Sequence, residues 1–403
     1  MSARSATGRG GQRPPPPGDP ATGSRWSLEC STCGATRGAE GLPGVCACGQ
    51  PYLVRYAALP RPDDRVRLAA RPWTMWRYRE WLPLGPDETP VTLGEGGTPL
   101  LPVPRLATRY GFRDLRVKDE GTNPTGSFKA RGLAAAVTRA AHASARAFVV
   151  PTAGNAGVAL AAYAARAGVP ARVYAPARTP PMILAQIRGF GAELELVDGH
   201  IGDCGRAAQR FARDTGAVDV STLREPYRIE GKKTLGLELA EQLDWTLPDA
   251  IVYPTGGGTG LIGMWKAFAE LARAGWVRGA PPRLYAVQST GCAPVVRAFE
   301  SGATACTAWA EPDTRAAGLQ VPSPLGDRLM LRALRESSGG AVAVTDAALA
   351  AAARELQTLE GIDAGPEGGA ALAGAIALGD RGTLGRDERV LVYNTGAGWL
   401  YRG

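Results

Sequence analysis

Short apolar runs that end in glycine-rich turns, each followed by an alanine-rich stretch of helical period, recur along this chain. In "ARAFVVPTAGNAGVALAAYAARAGVPARVYAP" residues 147–151 read as a strand and 152–157 as a turn. The stretch to about Arg166 then reads as a helix and, past Gly168, residues 171–175 as a second strand. "DAIVYPTGGGTGLIGMWKAFAELARAG" repeats the design, with a strand ending near Pro254 and a glycine run, 256–260, opening onto a long helix. In "ERVLVYNTGAG" a buried strand, 390–393, meets Thr395, Gly396 and Gly398. Strands alternating with helices predict an α/β fold built on parallel sheet, whose ligands bind beyond the carboxyl ends of the strands. Upstream, "GTNPTGSFKARGLAAAV" (121–137) joins turn formers to helix formers, which puts Lys129 in a first helical turn. The positive end of the helix dipole disfavours an ammonium there. A solvated lysine is better placed at the other end, whereas a reactive amine gains from a depressed pKa.

Composition narrows the field. With 403 residues the chain can build two core-bearing lobes and a small appendage. A net charge of +8 comes from 46 basic residues spread among 38 acidic ones, without a block of like charge. That pattern suits small anions and gives no reason to expect nucleic acid as a partner. Residues 1–25, rich in Gly, Pro and Arg, read as a disordered tail without the apolar centre of a signal peptide. Apolar stretches such as 368–378 are too short to span a bilayer, so no membrane partner and a cytoplasmic location are expected. The domain reading is a tail at 1–25, a cysteine module at 26–56 and a catalytic region at 57–403, with a smaller lobe at about 132–235.

Four of the seven cysteines, Cys30, Cys33, Cys46 and Cys48, crowd into "CSTCGATRGAEGLPGVCACG". In a reducing compartment such a cluster suggests structural Zn²⁺ in a ribbon-like module rather than disulfides. The second pair has one spacer instead of two, so four free thiols in a module that has lost its metal stay open. Histidine is limited to His142 and His200, which leaves lysine as the available proton-transfer group.

The run Gly256-Gly257-Gly258-Thr259-Gly260 suits a phosphate at a helix start, since its amides can approach an anion closely. It is neither a P-loop nor a dinucleotide fingerprint. One lysine at a helix start, a phosphate cradle and almost no histidine together point to pyridoxal 5′-phosphate, held on lysine with its phosphate on a glycine loop.

From Trp26 onward the chain resembles the threonine synthase family, among the tryptophan-synthase-like, fold type II pyridoxal phosphate enzymes. The resemblance rests on "LGEGGTPLLPV", "NPTGSFKARG", "PTAGNAG", "EPYRIEGKKT", "PTGGGTG" and "NTGAG", in that order. It implies Lys129 as the Schiff-base lysine and catalytic residue. Asn155 would face the pyridine 3′-oxygen, Gly256, Gly257, Gly258, Thr259 and Gly260 would hold the cofactor phosphate, and Thr395 would meet the ring nitrogen. Thr152, Ala153, Gly154 and Ala156 would take the substrate carboxylate, with Ser127 beside them, and Arg228 and Lys233 the phosphate of a phosphorylated amino-acid substrate. The implied reaction converts O-phospho-L-homoserine and water to L-threonine and phosphate in a homodimer. Two departures from the family pattern stand out: Ala130 follows the lysine where Asp is common, and Thr222-Leu223 replaces Asn-Ser before Pro226-Tyr227-Arg228. The second favours a serine/threonine dehydratase or an O-phosphoserine-using sulfhydrylase or cysteate synthase as the rival. A non-catalytic scaffold would need neither lysine nor phosphate loop.

Overall fold

The computed structural model describes residues 25–402. Of the tail expected over 1–25 only Arg25 is among them, its guanidinium donating to Leu84 O at 2.7 Å. The strands in chain order are β1 (Trp26–Cys30), β2 (Thr36–Gly38), β3 (Tyr52–Tyr56), β4 (Leu100–Pro102), β5 (Asp114–Asp119), β6 (Phe148–Pro151) and β7 (Ala171–Pro176). They continue with β8 (Glu193–Val197), β9 (Val218–Asp219), β10 (Ala250–Pro254), β11 (Arg283–Ser289), β12 (Gly340–Val344) and β13 (Arg389–Asn394).

Among the described residues three sheets result. A six-stranded sheet runs β12-β11-β10-β13-β5-β4, and a four-stranded one β8-β7-β6-β9. Every pairing in both is parallel except that of the edge strand β4, which carries Pro102 where a missing amide costs least. β10 (AIVYP) is buried along its whole length, as a parallel strand covered on both faces must be. The predicted strands at 147–151, 171–175 and 390–393 are β6, β7 and β13, and the one ending near Pro254 is β10; the predicted helices follow β6 and β10 at Asn155–Ala167 and Thr259–Arg273. The smaller sheet falls inside the 132–235 interval. The third sheet, β2-β1-β3, is antiparallel and belongs to the cysteine module. Trp26, Leu28 and Cys30 alternate inward along β1 onto Val54 and Tyr227.

Packed between the helices Lys129–His142 and Thr259–Arg273 runs the helix Tyr227–Gln242, buried on nearly every side although it carries Arg228, Glu230, Lys232, Lys233 and Glu238. Glycines let it sit that deep. A Cβ on Gly231 would lie 2.0 Å from Arg131 O, and one on Gly263 would lie 2.8 Å from the Lys232 backbone. Its charges are mostly neutralised in place: Glu238 pairs with Lys118 at 2.5 Å and with Arg131 at 3.0 Å, and Arg131 reaches Glu120 at 2.7 Å. Removing one member of such a buried set would strand the others.

Candidate active site

Lys129 is the first residue of the helix Lys129–His142, and Phe128 before it still has helical dihedrals. The approach loop is laced to the chain after β13. Phe128 N donates to Thr395 O at 3.0 Å, Ala397 N donates to Gly126 O at 2.9 Å, and Ser127 bridges Gly396. This lacing holds the lysine at the carboxyl end of the large sheet, where α/β ligand sites form. The Lys129 ammonium lies 4.6 Å from the Phe128 ring centroid, and that ring meets Tyr253 edge-on at 6.3 Å. Burial, helped by the Arg228 cation and opposed by Glu367, brings the Lys129 pKa down to about 8. About a tenth of the group is then neutral amine at pH 7, far more than for an ordinary lysine, as a nucleophilic lysine requires.

Asn155 opens its helix and converges on the same point. Its Nδ2 donates to Tyr401 Oη at 3.1 Å, while its Oδ1 is buried without a partner. Gly396 lies so near that a Cβ there would be 3.1 Å from Asn155 Nδ2 and 3.5 Å from Ser127 Cβ. Ser127 Oγ is likewise buried and unpartnered. Thr152 Oγ1 bonds within its own turn, accepting from Gly154 N at 3.0 Å. Thr395 is buried directly after β13.

The glycine run after β10 is short of space rather than of flexibility. A Cβ on Gly256 would stand 2.1 Å from Gly318 O, one on Gly257 2.8 Å from Thr222 Cγ2, and one on Gly260 1.9 Å from Tyr253 Oη. Only Gly258 also needs its left-handed φ of 78°, and it begins the helix Thr259–Arg273 with no side-chain cap on the first amides. The run thus presents amides on a bare backbone, and Asn155 Oδ1 and Ser127 Oγ lie buried and unpartnered among the described residues. The residues present fit pyridoxal phosphate.

The residues expected to hold a substrate phosphate separate. Arg228 is fully buried; its Nη1 donates to Val220 O at 2.7 Å, while Nε and Nη2 find no partner among the described residues. Lys233 turns away. It pairs with Glu230 at 2.7 Å and Glu270 at 2.9 Å in a closed cluster with Lys266, under the Tyr56 ring. Its neighbour Lys232 faces Lys129 instead, donating to Phe128 O with its ammonium 3.7 Å from the Phe128 ring centroid. Sequence reasoning passed over Lys232, and also Glu367 and Tyr401. Glu367 Oε1 accepts from Gly318 N at 2.7 Å and Oε2 is unpartnered. The cue for Lys232 was its place one helical turn after Arg228.

Away from this cleft, the sulfurs of Cys30, Cys33, Cys46 and Cys48 all lie within 4.8 Å of one another. Cys30 ends β1, and Gly49, with φ 81°, turns the chain directly after Cys48, so a single spacer suffices. The four thiols suit a tetrahedral soft-ligand metal. His142 and His200 bond instead to Thr89 O and to the Arg178 guanidinium.

A family model described as "Pyridoxal-phosphate dependent enzyme" matches residues 91–396. The threonine synthase of Methanosarcina acetivorans is 36% identical over 373 residues, covering 92% of this chain and 91% of that protein. That of Methanocaldococcus jannaschii is 32% identical over 372 residues, again with 92% of this chain and 91% of the relative covered. Among solved structures, a threonine deaminase from T.th. is 29% identical with a TM-score of 0.64, covering 74% of this chain and 92% of that one.

Proposed function

Because this chain belongs to the pyridoxal-phosphate dependent enzymes, and within them to the threonine synthase family, we propose that it converts O-phospho-L-homoserine and water to L-threonine and phosphate. The observation that carries the substrate is the Arg228 guanidinium, buried with two nitrogens unpartnered among the described residues, in addition to the glycine run that would take the cofactor's own phosphate. A site for one phosphate has no use for a second buried cation of this kind, and planar guanidinium is suited to bidentate phosphate.

Bound pyridoxal phosphate supplies an electron sink that makes the hydrogens near the substrate nitrogen acidic and lets the γ-phosphate depart. Lys129 and Asn155 would hold that group's aldehyde carbon and ring oxygen, residues 256–260 its phosphate, and Thr395 its ring nitrogen. The Thr152–Ala156 turn and Ser127 orient the substrate carboxylate. Lys129, poised near neutrality, takes the α proton and returns protons along the carbon chain. Arg228 steadies the phosphate as it gains charge on leaving, and the hydroxyl of water ends on the β carbon.

The four-cysteine cluster is proposed to hold one structural zinc, supported by four sulfurs close enough together to complete a tetrahedral set. We also take the enzyme to be a cytoplasmic homodimer, as the family resemblance implies; light scattering and cell fractionation test both. No described helix is long and apolar enough to cross a membrane. A second reading, dehydration of free serine or threonine, draws on Thr222-Leu223 and on the likeness to a threonine deaminase. Incubating purified protein with O-phospho-L-homoserine and with L-threonine decides between them. Equal release of phosphate and threonine supports the synthase, whereas keto acid from threonine with no phosphate release overturns it.

A further inference from the structure

The helix Tyr227–Gln242 carries two adjacent lysines with opposite fates. Lys233 and its neighbour Lys266 share two carboxylates, so that cluster is electrically closed. Lys232 is equally buried, yet among the described residues it makes no ion pair, and its one hydrogen bond goes to the Phe128 carbonyl. Its place is set by packing. Gly132 on the Lys129 helix is so close that a Cβ there would meet Lys232 Cε at 3.1 Å and Arg228 Cβ at 3.6 Å. Lys232 and Arg228, four apart on one helix, therefore line the same face, and Lys129, three before Gly132, looks onto it.

Three basic side chains thus converge with little negative charge to balance them. Two carboxylates act on Arg228: Glu225, which burial pushes up to about 7, so that it is a weak counter-ion near neutrality, and Asp219, which already accepts from Ser221 N at 2.9 Å. Glu367 opposes Lys129 from the helix Pro366–Asp380. Glu120 and Arg131, the other charged groups near Lys232, are already engaged with each other at 2.7 Å. Burying cations without counter-charge is costly, and proteins retain such an arrangement where an anion completes it.

We propose that Lys232 is a specificity-determining residue that, with Arg228, receives the phosphate of the substrate. The inference rests on the synthase reading and names the residue that takes the place expected of Lys233. Burial, with the Lys129 and Arg228 cations behind it, holds Lys232 well below the ordinary lysine range. Its amine donates to Phe128 O, and an arriving phosphate dianion favours the charged form of that amine, so binding shifts it toward the ammonium. A dehydratase acting on an unphosphorylated amino acid gains nothing from this residue.

The test uses holoenzyme saturated with pyridoxal phosphate, so that the glycine loop is filled, and titrates inorganic phosphate calorimetrically into wild type, Lys232→Met and Lys232→Gln. Repeating the titration in buffers of different ionisation heat counts protons. Wild type should bind phosphate with net proton uptake, and both variants should lose about tenfold or more in affinity together with that uptake. The cofactor absorbance should stay unchanged. Lys232→Gln keeps a donor for Phe128 O, so it serves where Lys232→Met fails to fold. Affinity and proton uptake unchanged in a folded variant, or no phosphate binding by wild type, overturns the inference. Failure of the reaction proposed above shows separately, as wild-type enzyme that releases no phosphate from O-phospho-L-homoserine while these titrations still distinguish the variants.

Discussion

Gly256→Ala tests the phosphate cradle by adding one methyl group. Gly256 does not have a left-handed φ, so alanine brings no intrinsic backbone penalty there. Its cost is space: the new Cβ would stand 2.1 Å from Gly318 O and 3.0 Å from Val321 Cγ2. The first of these is a backbone atom, and the Gly318 amide is tied to Glu367 Oε1 at 2.7 Å, so neither side can yield cheaply. Relief to ordinary contact needs a shift of about 1.3 Å, and overpacking of this kind costs about 1–3 kcal/mol. If that displacement falls on the loop amides, pyridoxal phosphate affinity drops by roughly 5- to 150-fold. The assay is a spectral titration of apoprotein with the cofactor, beside a thermal melt. Gly205→Ala is the control, because it lies inside the helix Ile201–Thr215 with no heavy atom within 4 Å of a Cβ there. A Gly256→Ala protein that binds cofactor like wild type would refute the reasoning, and so would a Gly205→Ala protein that loses cofactor as badly.

Borohydride reduction of holoenzyme should fix the pyridoxyl group on Lys129, and a label on Lys232 instead would overturn the site. Since the Lys129 pKa is lowered to about 8, the amine is protonated below that value and neutral above it, so capture of cofactor by apoprotein should quicken as pH rises through about 8. A rate that is flat between roughly pH 7 and 9 contradicts this. Arg228→Ala removes a charge-assisted contact worth about 1.5–3 kcal/mol, so kcat/KM on O-phospho-L-homoserine should fall on the order of ten- to a hundredfold, with cofactor content retained. A silent variant would favour the dehydratase. Metal analysis of protein purified without added zinc should find about one zinc per chain, lost in Cys46→Ser with a drop in stability. Four readily titrated thiols and no metal would refute the zinc centre.

The strand–turn–helix units were legible in the chain because their determinants are local. Buried parallel strands read as unbroken apolar runs, glycine marks where backbone must turn or come close, and alanine carries the helices away. Lys129 at a helix start, the bare run 256–260 and the four cysteines could all be located that way. The two lysines at 232 and 233 could not be told apart. Helix Tyr227–Gln242 is covered on nearly every side, so it shows no polar stripe to tell one face from another. Motif alignment favoured Lys233, but packing against Gly132 turns Lys232 to the cleft, while Glu230 and Glu270 take Lys233. Glu367 and Tyr401 escaped notice for a related reason: each meets the site only through partners distant in sequence, Gly318 for the one and Asn155 for the other. Local chemistry along the chain determined which segments form the site. Which side chains face it was decided only when the helices packed, because a neighbour one residue along a helix points about 100° away.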